Sequence, residues 1–262
     1  MLTSPRNPRI QHIRALQARS KTRRESKQYV VEGVRLVEEA LLNNSRPELL
    51  LYMEDLNERS HEVLADFQQQ GVETLLVSAA VMQAASDTQT PQGLLAVLPI
   101  PDWQLPEQPN FLLVADQVRD PGNLGTLLRT ALAAGVQAVL LPPGNVDPFS
   151  PKVIRAAMGA HFRLPVLQPG WGQIQDITSP LYTCLADSSG GLAYTQADLR
   201  RPLALLIGGE ASGAGQQALK AIDTRLHIPM PGGAESLNAA VAAAILLFEV
   251  VRQRGGGAGD ER

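Results

Sequence analysis

Cysteine is almost missing from this 262-residue chain, with Cys184 standing alone. No internal disulfide can form and no metal site can be built from thiolates. A lone cysteine fits a reducing cytoplasm, where we expect the chain to reside. Histidine is also sparse: His12, His61, His161 and His227 lie too far apart in sequence for the close ligand spacing of a zinc site, so no metal is expected. Long apolar runs are missing too. The longest, Ala239–Phe248, is stopped by Glu249, well short of the roughly 18 residues that a membrane span needs. Met1–Ser20 is basic and has no apolar centre, so it does not read as a secretory signal. Nor is there an overall excess of positive charge. The net charge is −3, which argues against a simple nucleic-acid coat protein. At 44% hydrophobic and 19% charged residues, the chain has the balance of a soluble globular protein of one or two domains.

Positive charge is present locally. Met1–Lys27 holds Arg6, Arg9, Arg14, Arg19, Lys21, Arg23, Arg24 and Lys27 against Glu25 as the only acid. Of these, Arg6, Arg9, Arg14, Arg23 and Arg24 are the candidate phosphate contacts; the plainer reading is a solvated helix face.

Four prolines in Pro99–Asn110 disfavour helix and central strand, which makes this stretch a linker. Before it, strands are expected at Tyr29–Glu32, Leu49–Met53, Thr74–Ser78 and Leu94–Leu98, and helices near Ile10–Arg19, Arg35–Leu42, Glu58–Gln69 and Ala79–Ala85. After it, Phe111–Ala115, Ala138–Leu141, Tyr182–Ala186, Leu203–Ile207 and Arg225–Ile228 read as buried strands with helices between them. Such alternation in both halves predicts mainly parallel sheets covered on both faces. The tail Gly255–Arg262 is nearly devoid of apolar residues and is expected to be disordered.

Three segments carry chemistry. The first is Asp116–Gly135, which follows the strand FLLVA. Asn123 suits a helix N-cap and Gly135 the C′ position, with Leu124, Leu127, Leu128, Ala131 and Leu132 forming an apolar stripe between them. Arg129, on the opposite face, is the only charge between Asp120 and Asp147. Its neighbours on that face are small and uncharged, as though something must approach closely. The second segment, LALLIGGEASG at 203–213, is a buried strand running into a turn in which Gly208, Gly209 and Gly213 allow close backbone approach beside Glu210. GAGQQA at 213–218 resembles a dinucleotide fingerprint, but the strand ends too early and no ribose-binding acid follows. A nicotinamide-dependent oxidoreductase is therefore a minor alternative. The third segment is His227–Arg254. It has a proline- and glycine-rich loop, Ser236 as expected N-cap, and two apolar stripes on one helix: Leu237, Val241, Ala244, Phe248 and Val251, then Ala240, Ala243, Leu247 and Val250. A helix apolar on two sides is buried twice, against the sheet and against a partner subunit, or lies wholly inside one core.

Together these segments resemble the SpoU family of RNA 2′-O-ribose methyltransferases, in the SPOUT superfamily. The matching pieces are Asn123-Leu-Gly-Thr-Leu-Leu-Arg129, Gly208-Gly-Glu210-Ala-Ser-Gly213, Ile228-Pro-Met230, Ser236-Leu-Asn238 and Arg252-Gln-Arg254. Ser150–Val166 also looks like the family, although many members have Ser where this chain has Ala157. NPRIQHIRAL and YVVEGVRLVEEAL, near the start, are similar to the ribosomal-protein-like substrate-binding domain found on many members. The resemblance implies an α/β chain with an RNA-binding domain at 1–98, a linker at 99–110, a SPOUT methyltransferase domain with a parallel sheet and deep trefoil knot at 111–254, and a tail at 255–262. It implies S-adenosylmethionine as cofactor, held by Gly208, Gly209, Ile228, Met230 and Leu237. Arg129 would be the central catalytic residue, with Asn123, Glu210, Ser236 and Asn238 around it, in a homodimer. RNA would be the substrate, ribosomal RNA ahead of transfer RNA. A non-catalytic RNA-binding or ribosome-assembly factor on the same fold is the alternative.

Overall fold

The computed structural model describes residues 1–209 and 213–255. The chain begins with α1 (Pro8–Ala18), α2 (Ser20–Ser26), β1 (Gln28–Glu32), α3 (Val34–Leu42), β2 (Leu49–Tyr52), α4 (Glu58–Gln69), β3 (Thr74–Leu76), α5 (Ala79–Ala85) and β4 (Leu94–Pro99). It continues with β5 (Phe111–Asp116), α6 (Pro121–Ala133), β6 (Ala138–Leu140), α7 (Pro151–Ala157), β7 (Val166–Leu167), α8 (Trp171–Thr178) and β8 (Tyr182–Ala186). Then come β9 (Leu192–Ala193), β10 (Leu203–Gly208), α9 (Gln216–Lys220), β11 (Thr224–His227) and α10 (Ala239–Gln253). The tail expected to be disordered lies, from residue 256 on, outside the described residues.

Two compact units result. One is Met1–Asp102 with Phe149–Phe162; the other is Trp103–Pro148 with the described residues from Arg163 onward. The expected boundaries thus miss one segment: α7 and its flanks pack in the first unit, although the chain on both sides belongs to the second.

The first unit has a four-stranded sheet in the order β1-β4-β2-β3. Only β2 and β3 are parallel; β4 runs antiparallel to both β1 and β2. The expectation of a mainly parallel sheet fails here because alternation of strands and helices fixes which faces are covered, not the direction in which the last strand enters. The strand period of two sorts residues cleanly onto two cores. Tyr29, Val31, Leu94, Ala96 and Leu98 face α3 and α4 with Val37 and Phe67. Val30, Leu95 and Val97 face α1 and α5 with Ile10, Ile13, Leu16 and Met82. Phe149, Ile154 and Phe162 join the first of these cores, with the Phe149 ring centroid 5.1 Å from that of Tyr29.

The second unit has a seven-stranded sheet in the order β7-β6-β5-β10-β8-β11-β9, parallel at every pairing. Its central strands read as unbroken apolar runs because helices cover both faces. β7 and β9 are edge strands of two residues, too short to show any periodicity in sequence. Cys184 on β8 is fully buried, and burial pushes its thiol pKa up to about 12. α10 lies across α6 and β10. Its Ala240, Ala243, Leu247 and Val250 stripe is buried, whereas Val241 and Phe248 on the other stripe are 48% and 49% exposed. Among the described residues no helix is long and apolar enough to cross a membrane. β5 and β10 are paired from Phe111 with Leu203 to Asp116 with Gly208, so their carboxyl ends are level. Open α/β sheets place ligands beyond such ends.

Candidate functional site

Beyond the ends of β8, β10 and β11 the second unit contains a cavity of about 340 Å³. That is at the lower end of the roughly 300–1,000 Å³ typical of small-molecule sites. Gly208, Gly209, Ile228, Met230 and Leu237, the five residues expected to hold a cofactor, all line it, and Ser236 lines it with them. Glu210 lies outside the described residues. Leu185, Ile207 and Leu226 supply apolar wall, and α10 contributes Ala239 and Ala242. Small residues on α10 leave the space open, as a leucine there would fill it.

The glycines are needed because backbone passes backbone. A Cβ on Gly208 would lie 2.5 Å from the Ala214 nitrogen, and one on Gly209 would lie 2.2 Å from the Gln117 carbonyl oxygen. Real Cβ atoms do not approach that closely. The turn closes with the Gly213 N–H donating to the Gly209 carbonyl at 3.0 Å. Opposite it, Gln117 has φ +58°, a left-handed conformation that side chains rarely adopt.

Two expected helix caps are displaced. Asp120, not Asn123, caps α6: its carboxylate accepts from the Asn123 N–H at 2.8 Å and Pro121 takes the first helical position. Proline there forfeits no hydrogen bond and its φ is preset, so the helix starts early. Asn238, not Ser236, caps α10, its side-chain oxygen accepting from the Ala240 and Val241 N–H groups at 2.9 and 3.3 Å. This frees Ser236 to face the cavity. The Asn238 amide also donates to the Asn123 side-chain oxygen at 2.9 Å, so the beginnings of α6 and α10 are tied together. Arg129 is exposed on α6 and is not among the residues that line the cavity. GAGQQA only opens the five-residue α9, and β11 ends in His227 with no acid, so nothing here resembles a dinucleotide site.

Sequence reasoning passed over three residues that shape this region. Asp116, 2% exposed at the end of β5, accepts from the Gly215 N–H at 2.7 Å. Burial raises its pKa above the usual carboxylate range, and the Gly215 bond opposes that shift. Asn145 stitches the ends of β5 and β6: its amide donates to the Ala115 and Pro142 carbonyls, and its oxygen accepts from the Val118 N–H, each at 2.8 Å. Asp187, on the cavity wall, pairs with Arg225 at 3.1 Å. A polar residue directly after an apolar strand was the available clue for Asp116 and Asp187; Asn145 sits in a loop with none. Among the described residues no group of three or more His, Cys, Asp or Glu could hold a metal ion.

The basic amino-terminal segment is not uniformly available. Arg6, Arg14 and Arg24 are exposed. Arg9 is paired with Glu73. Arg23 is 4% exposed and its guanidinium donates to the Leu16 and Gln17 carbonyls, in the last turn of α1. Arg23 is thereby corrected from phosphate contact to helix terminator: a cation satisfies carbonyls that have no partner in their own helix.

The profile of the SpoU rRNA Methylase family matches residues 110–248, and that of the MRM3-like substrate binding domain matches residues 7–96. The chain is 33% identical to the 23S rRNA (guanosine(2553)-2′-O)-methyltransferase RlmP of Bacillus subtilis, over 95% of this chain and 98% of that one. Among solved structures, an AdoMet-bound rRNA methyltransferase from Sinorhizobium meliloti superposes with a TM-score of 0.85 at 30% identity, covering 96% of this chain and 97% of that one. The SpoU methyltransferase AviRb from Streptomyces viridochromogenes, in complex with AdoMet, superposes with a TM-score of 0.87 at 29% identity, covering 96% and 100%.

The backbone crossing predicts that Gly209→Ala lowers the unfolding free energy in urea by about 1–3 kcal/mol, the usual cost of overpacking. An unchanged midpoint would mean that Gly209 and Gln117 are not in contact.

Proposed function

The chain belongs to the SpoU rRNA methylase family, and from that premise we propose that it methylates ribose 2′-hydroxyls of ribosomal RNA with S-adenosylmethionine as methyl donor. The observation that carries this reading is the convergence of Gly208, Gly209, Ile228, Met230 and Leu237 on one cavity. Its size suits a nucleoside-sized ligand, and its mixture of apolar side chains and bare glycine backbone suits an adenine and an amino-acid group. Both structures of similar chains named above were solved with AdoMet bound. RlmP, similar over nearly its whole length, is named for 23S rRNA. The protein would act in the cytoplasm.

S-adenosylmethionine bound there would supply an electrophilic methyl group on a sulfonium. The chain's own task is to present a ribose oxygen in line with that methyl and to accommodate the proton the oxygen loses. Arg129 stands on α6, whose first turn is fixed to α10 through Asn123 and Asn238. A guanidinium offers donors and no acceptor, so Arg129 acts by stabilising developing charge on the 2′-oxygen or by holding a neighbouring phosphate that takes the proton. Asn123 and Asn238 order the two helix starts, Ser236 faces the donor cavity, and Glu210 is assigned to the same loop by its motif alone.

RNA contact falls to Arg6, Arg14 and Arg24, with Arg9 able to exchange its surface partner Glu73 for a phosphate. Homodimerisation is favoured by Val241 and Phe248, half exposed and two turns apart on α10.

Arg129→Ala is expected to cut transfer of labelled methyl to ribosomal RNA by about 100-fold or more and to leave S-adenosylmethionine affinity unchanged, since its side chain is outside the cavity. Full activity would remove Arg129 from the chemistry. Joint replacement of Arg6, Arg14 and Arg24 by Ala should weaken RNA binding and flatten its salt dependence by about two in log–log slope. Arg23→Ala should instead cost about 1.5–3 kcal/mol of stability with the salt slope intact; equal slopes in both variants would refute the division. In sedimentation equilibrium, joint Val241→Glu and Phe248→Glu should convert a dimer to monomer. A wild-type monomer, or a variant dimer, would place the contact elsewhere or nowhere.

A further inference from the structure

The cavity wall and the helix bearing Arg129 belong to different stretches of chain, and something must set their distance. Gly215 lies 99 positions after Asp116, yet the Asp116 carboxylate accepts from the Gly215 N–H at 2.7 Å. Next to this bond, a Cβ on Gly209 would lie 2.2 Å from the Gln117 carbonyl oxygen, and one on Gly215 would lie 2.7 Å from the Gln117 side-chain amide nitrogen. Four residues after Asp116, Asp120 caps α6. We propose that Asp116 is a positioning residue: its carboxylate holds the Gly213–Gly215 side of the donor cavity against the loop leading into α6, keeping donor and Arg129 in register.

A purely structural role fits less well. Asparagine has the same shape without a charge, and burying a carboxylate is costly unless it is well bonded. Because the folded pKa lies above the ordinary carboxylate value, Asp116 favours the fold below that ordinary value. This contribution is lost as pH rises through the raised one. The ionised side chain therefore weighs against stability. What the charge provides is a stronger bond to the Gly215 amide than a neutral acceptor gives, and an acceptor on both oxygens that cannot flip to present a donor.

The inference rests on the donor reading above, and calorimetry separates the two. If the wild-type protein fails to bind S-adenosylmethionine, the donor reading falls, whatever Asp116 does. Given wild-type binding, Asp116→Ala should raise the dissociation constant by roughly tenfold or more, speed amide hydrogen exchange at Gly215, and raise KM for the donor but not for RNA. Asp116→Asn is expected to unfold at the same temperature as wild type or higher at neutral pH, yet to bind the donor about threefold more weakly with intermediate Gly215 exchange. This opposition of stability and affinity is readable even if the alanine variant does not fold. Wild-type donor affinity in either variant, or an affinity loss in Asp116→Asn that merely follows a loss of stability, would overturn the proposal.

Discussion

Where the turn after β10 meets the loop after β5, peptide backbone lies directly on peptide backbone, with no side chain between. Gly209 makes that possible by lacking a Cβ, Gly208 lets the turn fold back on Gly213 and Ala214 in the same way, and Gln117 opposite Gly209 adopts a left-handed conformation. At this crossing the Gly208–Gly209 wall of the cavity meets the loop that leads into α6. The hydrogen bond from Gly215 to Asp116 pins it, and a second, from Asn238 to Asn123, ties the start of α10 to the first turn of α6.

The second unit was largely legible from its residues. Apolar runs at Phe111, Tyr182 and Leu203 marked central strands because parallel strands covered on both faces carry no polar alternation. Glycine and proline clusters after them marked the ligand loops. The cap residues were not read correctly. Asn123 and Ser236 have the right chemistry for caps, but a proline in one case and a second asparagine in the other moved each helix start by a few residues. Local propensity offers several acceptable starts, and the surrounding fold chooses one. The direction of β4 was hidden for a similar reason, since alternation shows which faces are buried and is blind to polarity.

Charge was the hardest property to read. Eight cations in the first 27 residues look equivalent in sequence, yet Arg23 is buried in the service of α1 and Arg9 is paired with Glu73. Only packing tells a cation that terminates a helix from one that waits for a phosphate. Asp116 shows the converse: an acid at a strand end, unremarkable in sequence, proves to be nearly sealed from solvent.

The participation of Phe149, Ile154 and Phe162 in the core that contains Tyr29 and Leu98 bears on how the polypeptide comes to be assembled during synthesis. Nascent domains generally collapse in the order in which they emerge. Here the leading one lacks part of its apolar filling until Phe162 has left the ribosome, by which time β5, α6 and β6 of its neighbour are already outside. A fragment ending at the proline-rich segment would lack Phe149, Ile154 and Phe162 from the core that holds Tyr29 and Leu98.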